Sequence, residues 1–442
     1  MKMPTSMTVP AIDHLIDSSV PAYSPESWQS FIQPEGKAYS VSRREKFLLI
    51  SEAPLSHTEL FDKTLVWATL FETWVSKIGI APGNTVELWT DCEAESCKYY
   101  FADHSKRTIF WLDAQDSDTL GLPTSSSLQL KYAVEAEYWR HVEQFPMHFG
   151  GITVEAFDDL YVIFLHGRAD NLTSSSATFP YSADECATLI TVLRDSRDLI
   201  SDGRITCFVA RLWGFVASYR HRIHYGEEHS QLSRIKPTFE TPEAKRNIVF
   251  TLCSRLLFNM PELYRQQFED LFVDEHVHHH VWKDFVTEKL GEWKTLMQWS
   301  FPLLISNILI MPYTFSRTTT LASMFLDTAS IVMTITMYQI QHDFVNWGNA
   351  PNYLLYQKNK HEYQPIAIIY SLPKSLFIWA LLVFFIQILG TLSVLASIPV
   401  AVICLTSVGI LIVAVWWTLW PGSFSFDMAS PWSMRETPVS LV

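Results

Sequence analysis

The sequence predicts a mainly α protein with a small three-stranded antiparallel β meander, a helical soluble region and a C-terminal bundle of about four transmembrane helices. Three observations predict it. From Ser375 to Trp420 there is no Asp, Glu, Lys, Arg or His, so the stretch is apolar enough to enter a bilayer. From Leu128 to Met297 apolar residues recur at helical spacing beside charged faces. Between Thr85 and Leu112 the pattern changes to short β-prone runs broken by polar turns.

The apolar stretch is too long for one span of about 20 residues and suits two, at 374–393 and 399–420, with a turn near Ser393 to Pro399. Trp379, Trp416, Trp417 and Trp420 fall near the ends, where aromatic side chains concentrate at the interfaces. Upstream, nothing is charged between Lys294 and Arg317, which gives a span at 298–315. A further span, 319–341, is apolar except for Asp327. A carboxylate near the bilayer centre costs a few kcal/mol unless it is neutral or shielded, so Asp327 reads as an acid packed inside the bundle rather than a transport site.

Orientation follows from the basic residues of the short loops. Lys358, Lys360 and Lys374 lie between the second and third spans, whereas Arg317 alone marks the first connection. Lysines on the cytosolic side and an even span count put both termini in the cytosol, in agreement with Lys283, Lys289 and Lys294 ahead of the first span. Asn171-Leu172-Thr173 is then a silent glycosylation sequon. Met1 to Pro10 hold no apolar run of signal-peptide kind, and residues 421–442 read as a short tail.

At 442 residues the chain is long enough for two or three domains. A net charge of −13 repels phosphates and excludes nucleic acid as a partner. Basic clusters such as Ser42-Arg43-Arg44 and Arg220-His221-Arg222 read as solvated faces. Six cysteines, at 92, 97, 186, 207, 253 and 404, do not resemble a disulfide framework and fit a reducing compartment, with Cys92 and Cys97 in a loop.

Residues 1–35 are rich in Ser, Pro and Thr and read as a disordered leader. A unit over 36–115 follows. Ser40 to Ile50 mixes helix and strand cues, Thr58 to Ile78 has helical spacing, and three strands run over Thr85–Trp89, Lys98–Ala102 and Thr108–Leu112. Trp89, the run Tyr99-Tyr100-Phe101-Ala102-Asp103-His104 and Thr108-Ile109-Phe110-Trp111 carry a resemblance to the WW domain. Trp89 and Trp111 lie 22 residues apart, with the tyrosine pair and His104 between them. In that family the second tryptophan and the second tyrosine grip a proline-rich ligand in the polyproline II conformation. The resemblance implies a groove of Tyr100, Ala102, His104, Ile109 and Trp111. It also implies a structural role for Trp89, Tyr99, Phe101 and Asp103, with Trp89 on the face opposite the groove. Ala114 stands where the family has the proline that packs on its first tryptophan, so this unit leans on flanking helices.

After the polar linker Gln115 to Ser127, the region 128–297 reads as successive helices. They run over Leu128–Phe145, Phe157–His166, a helix opened by the capping box Ser182-Ala-Asp-Glu185, Ile205–Glu228, Pro242–Phe258, Pro261–His280 and Val281–Met297. This order of a WW-like hairpin, a helical stretch and C-terminal spans is similar to that of a group of fungal multi-span membrane proteins.

The densest set of possible metal ligands is His276-Val-His278-His279-His280. A helix would place His276 and His280 one turn apart, which suits zinc, although no second ligand pair recurs. No nucleophile elbow, phosphate loop, dinucleotide fingerprint or His-Glu-x-x-His helix occurs. The expected function is a membrane-anchored adaptor or scaffold that presents a cytosolic region to proline-rich proteins, with no cofactor and no catalysis. The alternatives are a metal-dependent membrane enzyme using His276 and His280, or a channel or transporter using Asp327.

Overall fold

The computed structural model describes residues 27–53, 58–78, 85–92, 96–174, 176–238, 247–274, 276–344 and 350–395, with scattered residues over 402–414. It divides into two compact units, Met1–Glu243 with Asp270–Trp282, and Ala244–Glu269 with Lys283–Val442.

The first unit is built on a mixed sheet of six strands in the order β1 to β6: Trp28–Ile32, Ala38–Arg43, Leu48–Ser51, Val86–Cys92, Cys97–Asp103 and Thr108–Phe110. Neighbours pair antiparallel except β3 and β4, which run parallel. A parallel pair needs a long crossover, and helix α1, Thr58–Ile78, lies in that connection. The sheet is thus two three-stranded meanders side by side. The meander expected at 85–113 is only half of it, and β1 lies inside the stretch read as a disordered leader. The earlier strands escaped notice because Trp28 to Ser51 alternates weakly and is interrupted by Glu35-Gly36-Lys37 and Glu45-Lys46.

Both faces of the sheet are covered. On one, Ala68, Phe71 and Val75 of α1 pack on Leu49, Val86, Leu88 and Phe101. On the other, Ala102 and Ile109 join the core that Ala136 and Trp139 of helix α2, Ser127–Gln144, share with α3 to α5. A buried Leu or Phe contributes about 1.5–3 kcal/mol, so the meander is stabilised from both sides although Ala114 replaces the expected proline.

Helix α3 is Val154–Thr173, α4 Ala183–Ser196 and α5 Gly203–Arg222. The capping box of α4 forms as the sequence indicates, with Ser182 and Glu185 satisfying each other's backbone donors. Trp139 of α2 stacks on Trp213 of α5 at 5.6 Å. One disulfide, Cys92–Cys97, joins facing residues of β4 and β5, where loop cysteines were expected.

The second unit holds α6, Ile248–Leu256, most of α7, Met260–Leu271, most of the long α8, His279–Ile310, then α9, Arg317–His342, α10, Ala350–His361, and α11, Gln364–Leu395. The helix expected over 281–297 and the first span form one continuous α8, because nothing between Met297 and Trp299 breaks it. Among the described residues three helices are long and apolar enough to cross a membrane: His279–Tyr313, Arg317–His342 and Gln364–Val394. The fourth expected span, 399–420, lies mostly outside the described residues. Lys374 belongs to α11 rather than to a loop.

Candidate functional site

Residues alternate between faces along a strand, so β4 and β5 sort their side chains by function. Val86, Leu88, Tyr99 and Phe101 point to the α1 side. Glu87, Trp89, Tyr100 and Ala102 share the other face, since Glu87 lies opposite Ala102 and Trp89 opposite Tyr100. Trp111 continues this row, because Phe101 pairs with Phe110 and Ala102 with Ile109.

Trp89 and Tyr100 stack at 5.1 Å. This overturns the placement of Trp89 implied by the WW resemblance, since Trp89 shares the face of Tyr100 and is only partly buried. Trp89, Tyr100, Ile109 and Trp111 line a cleft of about 550 Å³. Leu120 and Leu122 add apolar wall, Lys37, Glu52, Glu137 and Arg140 carry charge around it, and His141 lies in its lining. Of the five expected groove residues, Tyr100, Ile109 and Trp111 line this cleft, Ala102 is buried under the helical core, and His104 turns to a different set of partners. Asp103 accepts from the Ser105 and Lys106 backbone N–H groups at 2.9 and 3.2 Å and so shapes the β5–β6 turn.

Those partners of His104 form a cluster that only the fold assembles. The Glu87 carboxylate is 2 % exposed. Its Oε1 lies 2.9 Å from His104 Nε2 and 2.9 Å from His148 Nε2, and its Oε2 lies 2.9 Å from His141 Nε2. His141 comes from α2 and His148 from the 3-10 turn Pro146–His148 that follows it. Each imidazole meets a tyrosine hydroxyl through its other nitrogen: Tyr138 at 3.2 Å for His104, Tyr100 at 3.0 Å for His141 and Tyr39 at 3.1 Å for His148. The Met147 N–H also donates to Tyr39 at 2.9 Å.

Burial alone pushes the Glu87 carboxyl up, but the three imidazoles outweigh it and hold Glu87 well below the usual carboxylate range. Burial pushes His141 down, against the pull of Glu87. It also keeps the phenols of Tyr39, Tyr100 and Tyr138 protonated, far above their ordinary value. Among the described residues, Glu87, His104 and His141 alone bring three ligand-type atoms within 4.8 Å of one another.

The histidine run proposed from sequence is arranged otherwise. α8 begins at His279, so His276 precedes the helix and is not one turn from His280 on it. His276 lies against the Arg222 guanidinium, and His280 Nδ1 contacts the Pro180 carbonyl at 3.2 Å. His276 and His278 line a small cavity of about 50 Å³ with Thr178, Tyr219, Arg222 and Arg234.

Asp327 in α9 is fully buried and faces the equally buried Ser300 of α8. The sequence reading did not single out Glu87, His141, His148 or the tyrosines Tyr39 and Tyr138. One signal was present: in Val86 to Trp89 a single carboxylate interrupts apolar residues, and a carboxylate buried in such a strand needs partners. No family model, curated protein or solved structure matches this chain.

Proposed function

We propose that the chain is a membrane-anchored binding module whose first unit holds a proline-rich segment of a partner protein in the cleft of Trp89, Tyr100, Ile109 and Trp111. The observation that carries this reading is the row of three aromatic side chains across β4, β5 and the end of β6, open along a cleft of about 550 Å³. Flat aromatic faces accept proline rings, and a polyproline II peptide enters with little ordering cost. Charges of both signs around the cleft, Lys37, Arg140, Glu52 and Glu137, supply orientation. In this reading the three apolar helices hold the module at a bilayer, and the first unit faces the cytosol.

The full-length chain in detergent, titrated with a panel of proline-rich peptides, tests it. Binding at roughly 1–100 μM, about −8 to −5.5 kcal/mol, is expected for a shallow contact of this size. Trp111→Ala should abolish it while leaving the thermal transition in place, because Trp111 lies at the margin of the core rather than within it. A folded wild-type chain with no proline-dependent signal overturns the reading.

A further inference from the structure

The Glu87 cluster has the composition and spacing of a metal site rather than of an ordinary polar core. We propose that Glu87, His104 and His141 bind one divalent transition ion of the zinc class, with His148 holding the Glu87 carboxylate from the side.

Donor type comes first. Imidazole nitrogens with one carboxylate suit zinc and its first-row neighbours, whereas magnesium and calcium take oxygen-rich sets. Spacing agrees. Ligands about 2.0–2.1 Å from an ion stand about 2.9–3.4 Å from one another, and each of the three Nε2 atoms lies 2.9 Å from a Glu87 oxygen.

The surrounding shell points the same way. A metal-bound histidine is fixed by a hydrogen bond from its other ring nitrogen. Here each of the three Nδ1 atoms has its own tyrosine hydroxyl at 3.0–3.2 Å. A tyrosine hydroxyl oxygen can accept that N–H, which leaves the Nε2 lone pair facing the carboxylate.

A pure hydrogen-bond hub would require all three Nε2–H groups to donate to Glu87. His104 does not meet that requirement. Its Nε2 is buried 2.9 Å from Oε1 but without hydrogen-bond geometry to any partner. An ion between the two groups satisfies both, since it needs the lone pair of His104 and no proton. It also balances a carboxylate whose ion-pair partners among the described residues are all imidazoles.

The experiment uses the full-length chain in detergent, stripped with a chelator and titrated with Co²⁺, then Zn²⁺. About one Co²⁺ per chain with visible d–d absorption, displaced by Zn²⁺, is the expected result. Glu87→Gln and His141→Gln should lose it. Where these fail to fold, Tyr138→Phe keeps every ligand and removes only the hydroxyl behind His104, and should weaken Co²⁺ by about 10–100-fold. The double variant His276→Gln, His278→Gln and the cleft variant Trp111→Ala should both bind as wild type. A folded wild-type chain that takes up no Co²⁺ or Zn²⁺ overturns the proposal and leaves a closed hydrogen-bond hub. Absorption lost in the His276/His278 variant, or unchanged in folded Glu87→Gln and Tyr138→Phe, places the ion elsewhere and overturns it equally.

Discussion

A buried ionisable side chain must either find partners or give up its charge, and the first unit shows both outcomes. Glu87 keeps its charge because three imidazoles surround it. His276 and His278 give theirs up: burial first, and then Arg222 beside them, push His276 down to about 4, while burial and the neighbouring His276, His280, Arg222 and Arg234 push His278 down to about 3. Asp270 and Asp274 line the same cavity, but Asp274 is already occupied by the Thr238 N–H and hydroxyl, each at 2.9 Å. The unfolded chain takes up these protons below about pH 6.5, and the folded chain refuses them until far lower. Stability from these groups is therefore complete above the unfolded value and lost as the pH falls from about 6.5 towards 4. Unfolding measured at several pH values should show His278→Gln with a slope shallower than wild type by about 1 kcal/mol per pH unit in that window. Equal slopes would show that His278 charges freely in the folded chain. At this scale the sequence made Tyr100, His104 and Trp111 visible, because they sit in one hairpin whose spacing is local. Glu87, His141 and His148 were invisible as a group, since they meet only after α2 folds across the sheet.

Helices with strong local signals are readable, and elements defined by distant pairing are not. α1 spans the same residues that its apolar periodicity marks, Thr58–Ile78, and α4 starts at its capping box. β1 to β3 are supported by α1, whose Ala68 and Phe71 lie about 20 residues beyond Leu49, and by the parallel contact with β4, whose partners such as Leu48 and Glu87 lie 39 residues apart. In the second unit, α9 carries a seam that sequence hydropathy averages away. Thr320, Ser323, Asp327, Ser330 and Thr334 recur at three- and four-residue steps and, with Gln341 two turns further on, are all buried, while Leu321, Phe325, Val332 and Ile340 are exposed. Such an arrangement suits a helix in lipid, where small polar residues let helices approach closely. The Ser323 hydroxyl donates to the Ala380 carbonyl at 2.9 Å and the Ser330 hydroxyl to the Pro373 carbonyl at 2.7 Å, both on α11. Ser330→Leu adds volume with no room for it, and overpacking of a tight contact costs about 1–3 kcal/mol. Detergent-titrated unfolding should show that loss. A wild-type midpoint would mean that α9 and α11 do not pack at Ser330.

Sidedness belongs to the molecule as a whole, because it depends on the number of crossings as well as on charge. In the proposed reading α8 and α9 take the chain over the bilayer and back, which returns α10, with Lys358 and Lys360, to the side from which α8 started. The charged boundary is consistent across helices: Lys289 and Glu292 of α8 pair at 2.9 Å, and Lys374 of α11 acts on the same Glu292. The apolar part of each helix begins after these charges, near Trp299 in α8 and Ser375 in α11. Lysine-rich segments stay cytosolic, so α10 and the chain ahead of α8 should share the cytosolic side. The Cys92–Cys97 bond closes a hairpin of sequence separation 5. A loop that short gains little from cross-linking, so reduction in the cytosol should leave β4 and β5 paired. Sealed vesicles with the cytosolic face outward provide the test. Trypsin added outside should remove an N-terminal tag and cut at Lys358 or Lys360, while the apolar segments of α8 and α9 survive together as one protected fragment. Protection of the tag reverses the orientation. A cleaved tag with an intact α10 places α10 across the membrane from the N-terminus and reduces the pair α8 and α9 to a single crossing.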